Sequence, residues 1–259
     1  MDLPMLLVER RGAVLHVTIN RPEKRNALAL AALDALGAAF TENAGDETIA
    51  CALLTGAGDR SFAAGGDLRE LDALRTADEA RAMSARGRLA LAAVRAFPAP
   101  VVAALNGHAL GGGAELAMAC DLRIAAPHAE LGFLQAELNV TSAWGGGIDL
   151  LAAVGPARAL ELLAGARRLP ARAALELGLL QRVAAPNEDF AAFVTDYVAA
   201  LTRRPARVLR AQKALTGAFR QRLHAELAAV EESGFVPAWV HADHWDVAAA
   251  ALAKPARRS

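Results

Sequence analysis

The chain has 259 residues, with Lys plus Arg and Asp plus Glu both at 28, so its formal net charge is zero. That balance argues against a broad nucleic-acid surface but leaves room for a small anion site built from two or three cations. With 54% hydrophobic and only 5% aromatic residues, it can fill a sizeable core of Ala, Leu and Val, enough for one large domain or a domain with a small appendage.

The N-terminal MDLPMLLVER has no basic region leading into a long apolar run, so it does not read as a signal peptide. Residues 6–10 and 14–20 read as strands around an Arg11-Gly12 hairpin turn. Asn26 is expected to cap a helix with a core stripe of Leu30, Leu33, Leu36 (or Gly37) and Phe40. Residues 49–55 form an almost unbroken apolar run, the pattern of a strand buried on both faces. A glycine-rich loop follows, then Thr76-x-x-Glu79, a capping box opening a helix that ends before Pro98. Residues 101–105 are the next buried strand. A glycine turn, a short helix carrying Glu115, and short strands at 123–126 and 130–131 come after it. Helices are expected over 145–154, 156–164 and 170–177, the last with Gly178 as its C-cap.

Beyond Val183 the pattern becomes helical throughout, with segments at 190–203, 205–219, 223–233 and 238–252. Val208, Leu209, Leu215, Phe219, Leu223, Leu227 and Val230 form stripes for a core or a subunit interface. Cys51 and Cys120 lie in apolar runs without metal-ligand spacing and read as buried thiols in a reducing compartment. The pair His241-x-x-His244, near Asp243 and Asp246, reads as a polar helix face rather than a metal site. No uncharged apolar stretch reaches the roughly 18 residues of a membrane span. A cytoplasmic protein without a membrane or nucleic-acid partner is expected.

Two loops carry the chemical signal: Ala63-Ala64-Gly65-Gly66-Asp67 and Gly111-Gly112-Gly113-Ala114-Glu115. Each follows a buried strand and opens a helix, where N–H groups are unpaired and the partial charge is positive. Two such ends facing one cavity can hold a developing oxyanion. An acid on the first turn, Glu115, adds a proton-transfer group beside it. Turns and tight helix packing alone would also use glycines. Neither loop fits G-x-G-x-x-G, and no Walker or G-x-S-x-G pattern occurs.

These residues sit within longer motifs: Asn20-Arg21-Pro22-Glu23-Lys24-Arg25-Asn26-Ala27-Leu28, Leu54-Thr55-Gly56-Ala57-Gly58, Ala64-Gly65-Gly66-Asp67-Leu68, and Asn106-Gly107 through Gly111-Gly112-Gly113-Ala114-Glu115-Leu116 to Cys120-Asp121-Leu122-Arg123. In this order they resemble the enoyl-CoA hydratase/isomerase (crotonase) superfamily over nearly the whole chain. The resemblance implies an α/β fold, a spiral of ββα units forming an acyl-CoA-binding core over 1–186, followed by a C-terminal helical trimerisation subdomain over 187–259. It implies a homotrimer, or a hexamer of two trimers, acting on a coenzyme A thioester. No cofactor beyond that CoA moiety and no metal is implied. By position the oxyanion donors would be the N–H groups of Gly66 and Gly112, with Ala64, Gly66, Asp67, Leu68 and Arg69 lining the CoA side. Lys24, Arg25 and Arg69 are candidates for the CoA nucleotide and its phosphates; the alternative for each is a solvated surface charge.

The hydratases of the superfamily use two glutamates. Glu115 matches one, and an ungapped alignment places Gln135 at the other. A carboxamide holds water or a carbonyl but cannot exchange a proton at accessible pH. Glu137, two residues on, would share a face with Gln135 on an extended segment, though in a turn it need not, and it is the candidate to replace the missing acid if the loop is shifted. Asn139 and Ser142 replace a usual glycine and proline, and Trp144-Gly145-Gly146 looks more like the ethylmalonyl-CoA decarboxylase branch. Trp144 is expected to wall the acyl pocket or to pack in the core. His244-Trp245-Asp246-Val247 stands where a glycine is common. The expected reaction is that of an enoyl-CoA hydratase/isomerase. The alternatives are decarboxylation of a malonyl-type CoA and a non-catalytic acyl-CoA-binding scaffold.

Overall fold

The computed structural model describes residues 4–253. It opens with the expected hairpin, β1 (Leu6–Arg11) against β2 (Val14–Ile19), turned at Gly12 with φ of 57°. Helix α1 (Leu30–Asn43) follows, then β3 (Cys51–Gly56), β4 (Ser61–Ala63), the single turn α2 (Leu68–Leu71) and the long α3 (Ala77–Ala96). The pattern repeats as β5 (Val101–Leu105), β6 (His108–Leu110) and α4 (Gly112–Ala119). It repeats again as β7 (Leu122–Ala125), β8 (Glu130–Gly132), a 3-10 turn (Gln135–Leu138) and α5 (Gly146–Val154). In each round the first strand joins a six-stranded sheet ordered β1-β2-β3-β5-β7-β10, and the second joins a four-stranded sheet ordered β4-β6-β8-β9. Strands β3, β5 and β7 run parallel, as do β4, β6 and β8. This is the spiral of ββα units. It closes with α6 (Pro156–Gly165), β9 (Leu169–Pro170), α7 (Ala171–Glu176) and β10 (Arg182–Val183).

The apolar runs at β3 and β5 are explained by what covers them. Ala52, Leu54, Val101, Ala103 and Leu105 face the main core with α1 and α3, where Phe40 meets Phe97 edge-on at 5.3 Å. The alternate residues Cys51, Leu53, Val102 and Ala104 face Val194 and Val198 of α8 (Phe190–Thr202). Period-two side chains with both faces covered give a run without polar alternation. Burial pushes both thiols, Cys51 and Cys120, up to about 12.

Three sequence expectations are corrected here. Asn26 does not cap α1, whose N-cap is Ala29 without a side-chain bond. It is fully buried with φ of 56°, accepts from Arg21 N–H at 3.0 Å, and donates to the carbonyls of Ala57 (3.0 Å) and Ser61 (2.7 Å). An Asn tolerates the left-handed backbone and ties two loops with one amide. The separate helices expected over 205–219 and 223–233 are one helix, α9 (Ala206–Val240), followed by α10 (Ala242–Ala253). Gly217 and Gly234 adopt no positive φ, and Pro237 falls in the last turn of the helix. Along α9, Leu209 is buried while Leu215, Phe219 and Val230 are exposed. His244 does not lie on a polar face: it is fully buried, its ring centroid 4.6 Å from that of Trp239 and 4.4 Å from that of Trp245. His241 pairs instead with Asp243 at 2.8 Å. Among the described residues no helix is long and apolar enough to cross a membrane.

Candidate active site

The spiral stacks β4 beside β6, so the two glycine loops at their ends come together. A Cβ at Gly65, where φ is 97°, would lie 3.4 Å from Gly112 N. Gly66 ends one loop and Gly112 is the first residue of α4. Among the described residues neither N–H has an acceptor. Both glycines lie against one indole. A Cβ at Gly66 would be 3.8 Å from Trp144 Cη2, and one at Gly112 would overlap the same ring. The other end of that indole is packed against Gly87 of α3, where a Cβ would also overlap it. Trp144 is therefore a fixed wall, 4% exposed, beside both donors.

Glu115 lies on the first turn of α4, three residues after Gly112, and is 2% exposed. Its Oε2 accepts from Trp144 N–H at 2.9 Å and Gly146 N–H at 3.0 Å. Its Oε1 accepts from Gln135 Nε2 at 2.9 Å and Ala143 N–H at 3.5 Å. Burial is the main cause that lifts the Glu115 carboxyl to about 7. The negative charge of Glu231 adds to the rise, while the bonds from Trp144, Gly146 and Gln135 oppose it. The result is a group that can take or give a proton near neutrality.

Gln135 opens the 3-10 turn, and the turn decides which side chain meets Glu115. With about three residues per turn, i and i+2 point in different directions. Gln135 reaches Glu115 and Glu137 is exposed. The Gln135 Oε1 atom is buried with no partner among the described residues.

The CoA-side residues named from sequence are also brought together. The segment carrying Lys24, Arg25 and Leu28 runs alongside the Gly65 loop, joined by Ala64 N–H to Arg25 O (3.1 Å), Leu28 N–H to Gly65 O (2.8 Å) and Asp67 N–H to Leu28 O (3.1 Å). Asp67 is buried and pairs with the buried Arg21 at 2.9 Å, while Lys24 stands over it at 3.5 Å. Burial would raise the Asp67 carboxyl, but Arg21 and Lys24 outweigh that and lower it. Lys24, Arg25 and Arg69 are exposed, and Leu68 is the first residue of α2. Reading the sequence missed Arg21 and Glu231. Arg21 was visible only as part of Asn-Arg-Pro, without a role. Glu231 had no local signal, since its partners lie in a loop far back in the chain.

Residues 9–242 match the family model described as enoyl-CoA hydratase/isomerase. The chain belongs to that family. It is similar to the short-chain-enoyl-CoA hydratase of Clostridium acetobutylicum, with 38% identity over 188 residues, which is 73% of this chain and 72% of that protein. It is 39% identical over 183 residues to the crotonyl-CoA hydratase of Syntrophomonas wolfei, covering 71% of this chain and 70% of the relative. Its fold is similar to the crystal structure of an enoyl-CoA hydratase/isomerase from Mycobacterium paratuberculosis, with a TM-score of 0.88, 26% identity, and coverage of 96% and 100% of the two chains. Family membership carries the coarse function, that of an acyl-CoA enzyme of the crotonase superfamily.

Proposed function

We propose that the chain works through an oxyanion-stabilised thioester enolate in a hydratase/isomerase reaction on a short 2-enoyl-CoA, with Glu115 as its one proton-transfer carboxylate. The observation that carries this reading is the placement of two acceptor-free N–H groups, on Gly66 and Gly112, beside a buried carboxyl poised near neutrality. The thioester oxygen would accept from both N–H groups, so charge developing on it meets donors already in place. Glu115 would move the proton at the acyl carbons. Gln135 would hold a water or substrate oxygen with its carboxamide, leaving the proton to Glu115. Lys24, Arg25 and Arg69 would meet the CoA phosphates as point charges, and no cofactor besides the CoA moiety is needed. A short acyl group suits both the fixed wall of Trp144 and the names of the relatives above. A homotrimer or a dimer of trimers would cover the exposed Leu215 and Phe219 of α9, which sedimentation velocity would report.

A second reading is favoured by Gln135 itself. Decarboxylation of methylmalonyl- or ethylmalonyl-CoA creates the enolate by losing CO₂ and leaves only a protonation for Glu115. Parallel assays with crotonyl-CoA and the two malonyl-type thioesters, on wild type, Glu115→Gln and Gln135→Glu, separate the cases. Hydration that Glu115→Gln abolishes supports the first reading. CO₂ release without hydration replaces it with the second. CoA binding with no turnover of any substrate would leave an acyl-CoA-binding scaffold.

A further inference from the structure

Loop 142–146 is held from two sides by carboxylates that come from distant parts of the chain. Glu115 takes the N–H groups of Trp144 and Gly146. Glu231, on α9, takes the one between them: Gly145 donates to its Oε2 at 2.7 Å, and Ser142 Oγ donates to its Oε1 at 2.7 Å. Successive N–H groups of one turn thus face alternate carboxylates. Gly145 permits this with a φ of 86°.

Among the described residues no Lys, Arg or His forms an ion pair with Glu231. The nearby cations are committed elsewhere. Arg95 from α3 and Arg220 and His224 from α9 all pair with Asp149 of α5. Arg88 of α3 pairs with the next residue, Glu232, at 2.8 Å. Arg95 and His224 do approach the loop, since a Cβ at Gly145 would lie 2.8 Å from Arg95 Nη2 and 2.8 Å from His224 Cε1. Arg95 and His224 line one cavity with Glu231, but their bonds go to Asp149 and, for Arg95, also to the Trp144 carbonyl.

We propose that Glu231 is a positioning residue for Glu115: it fixes loop 142–146 in the arrangement that presents N–H donors to Glu115, and it supplies the like charge that Glu115 faces across that loop. The consequence is that the C-terminal helix α9 sets the proton affinity of a group on α4. Two carboxylates sharing one turn cannot both ionise as freely as either alone, so the charge of Glu231 retains the proton on Glu115 to higher pH. The proposal concerns the titration of Glu115, whichever acyl-CoA reaction it serves.

The test is Glu231→Gln, which keeps the shape and removes the charge. Its amide oxygen can accept from Gly145, and the Ser142 hydroxyl can turn to accept from the amide nitrogen. Titration of Glu115 is followed by carboxyl carbon NMR on protein labelled in its glutamates, with Glu115→Gln assigning the signal. The expected result is a downward move of the Glu115 titration by about one unit in Glu231→Gln, matched by the same move in the kcat profile. A Glu115 titration unchanged from wild type in folded Glu231→Gln overturns the proposal, whatever happens to the melting temperature. Should that variant not fold, Glu231→Asp decides the matter, because it keeps the charge and shortens the reach. A fall in kcat with KM retained and the Glu115 titration still raised supports positioning, whereas wild-type kcat overturns it. The NMR readout needs no substrate, so a wrong assignment of the reaction cannot mimic failure here.

Discussion

Glu115 is stabilised as an anion by hydrogen bonds and destabilised by burial, and burial wins. Replacing it by Gln leaves a similar shape without a titratable proton, so kcat is expected to fall roughly 10²–10⁴-fold, read in the thioester assays above. The pH dependence tells which way the proton moves. If Glu115 acts as the base that activates water, kcat rises as pH rises through about 7. If it acts as the acid that protonates an enolate, kcat falls over the same range. Stability carries a separate sign. The folded-state value lies above the ordinary 4.5, so the contribution is fully present below 4.5 and is lost as pH rises toward 7. Melting temperature of wild type, measured from pH 4.5 to 8 against Glu115→Gln, should decline relative to the variant across that window and then level off. Gln135→Glu places a second carboxylate where Gln135 now donates at 2.9 Å. The two cannot both ionise, so the upper apparent pKa in the rate profile is expected to rise. If hydration is limited by the missing second acid, the same variant gains hydration rate.

Among the elements, α3, α4 and α5 converge on Trp144. Its ring is clamped by Gly87 and Gly112 and separates the two acceptor-free N–H groups from a cavity of about 670 Å³ between α3, α5 and α9. Ala92, Ala96, Phe97, Ile148 and Ala218 give that cavity apolar walls. Trp144→Ala is therefore expected to open the acyl space into it. KM for medium-chain thioesters should drop relative to that for crotonyl-CoA, at a stability cost of about 3–5 kcal/mol seen in urea unfolding. An unchanged chain-length profile would mean that the ring only packs. This wall also shows what was legible in the sequence. The glycine loops, Glu115 and the capping box at Thr76, whose side chain accepts from Glu79 N–H at 3.3 Å, were readable because each is encoded within a few residues. The unbroken apolar runs likewise exposed β3 and β5. Asn26 misled because an Asn before an apolar run is a cap by local rules, while its real partners lie about thirty residues on, at Ala57 and Ser61. The continuity of α9 was hidden by glycines and a proline, which weaken a helix locally but are overruled by its packing on α3 and α5. Nothing local distinguished Glu231 from its neighbour Glu232.

At the scale of the whole molecule, the helical C-terminus is fastened to the spiral by charge. Asp149, 3% exposed at the start of α5, accepts from Arg95 Nε of α3 at 2.8 Å, from Arg220 Nη2 of α9 at 2.8 Å, and meets His224 Nε2 at 2.9 Å. Arg220 also donates to the carbonyls of Met118 (2.8 Å) and Ala119 (3.0 Å) at the C-terminal end of α4, where cations are favoured, and Lys213 pairs with Asp121 just beyond. Burial alone would raise the Asp149 carboxyl, but Arg95, His224 and Arg220 more than reverse it and hold it well below the usual carboxylate range. Its contribution to stability is thus present above the ordinary value of 3.8 and is lost as pH falls through the lower folded-state value. The same cluster flanks loop 142–146, because Arg95 donates to Trp144 O at 2.9 Å. Asp149→Ala would leave the largely buried Arg95 without its counter-ion and Arg220 with only Asp121, at 3.2 Å, and is expected to cost about 3–5 kcal/mol, measured by urea unfolding at neutral pH. Asp149→Asn keeps the acceptor but not the charge and should fall between that variant and wild type. If the cluster acts only as a fastener, kcat in the folded fraction stays at the wild-type level. If it also places Trp144 and Gly145, KM for acyl-CoA rises in Asp149→Asn before any loss of fold, and the order of those two effects along a urea series tells which.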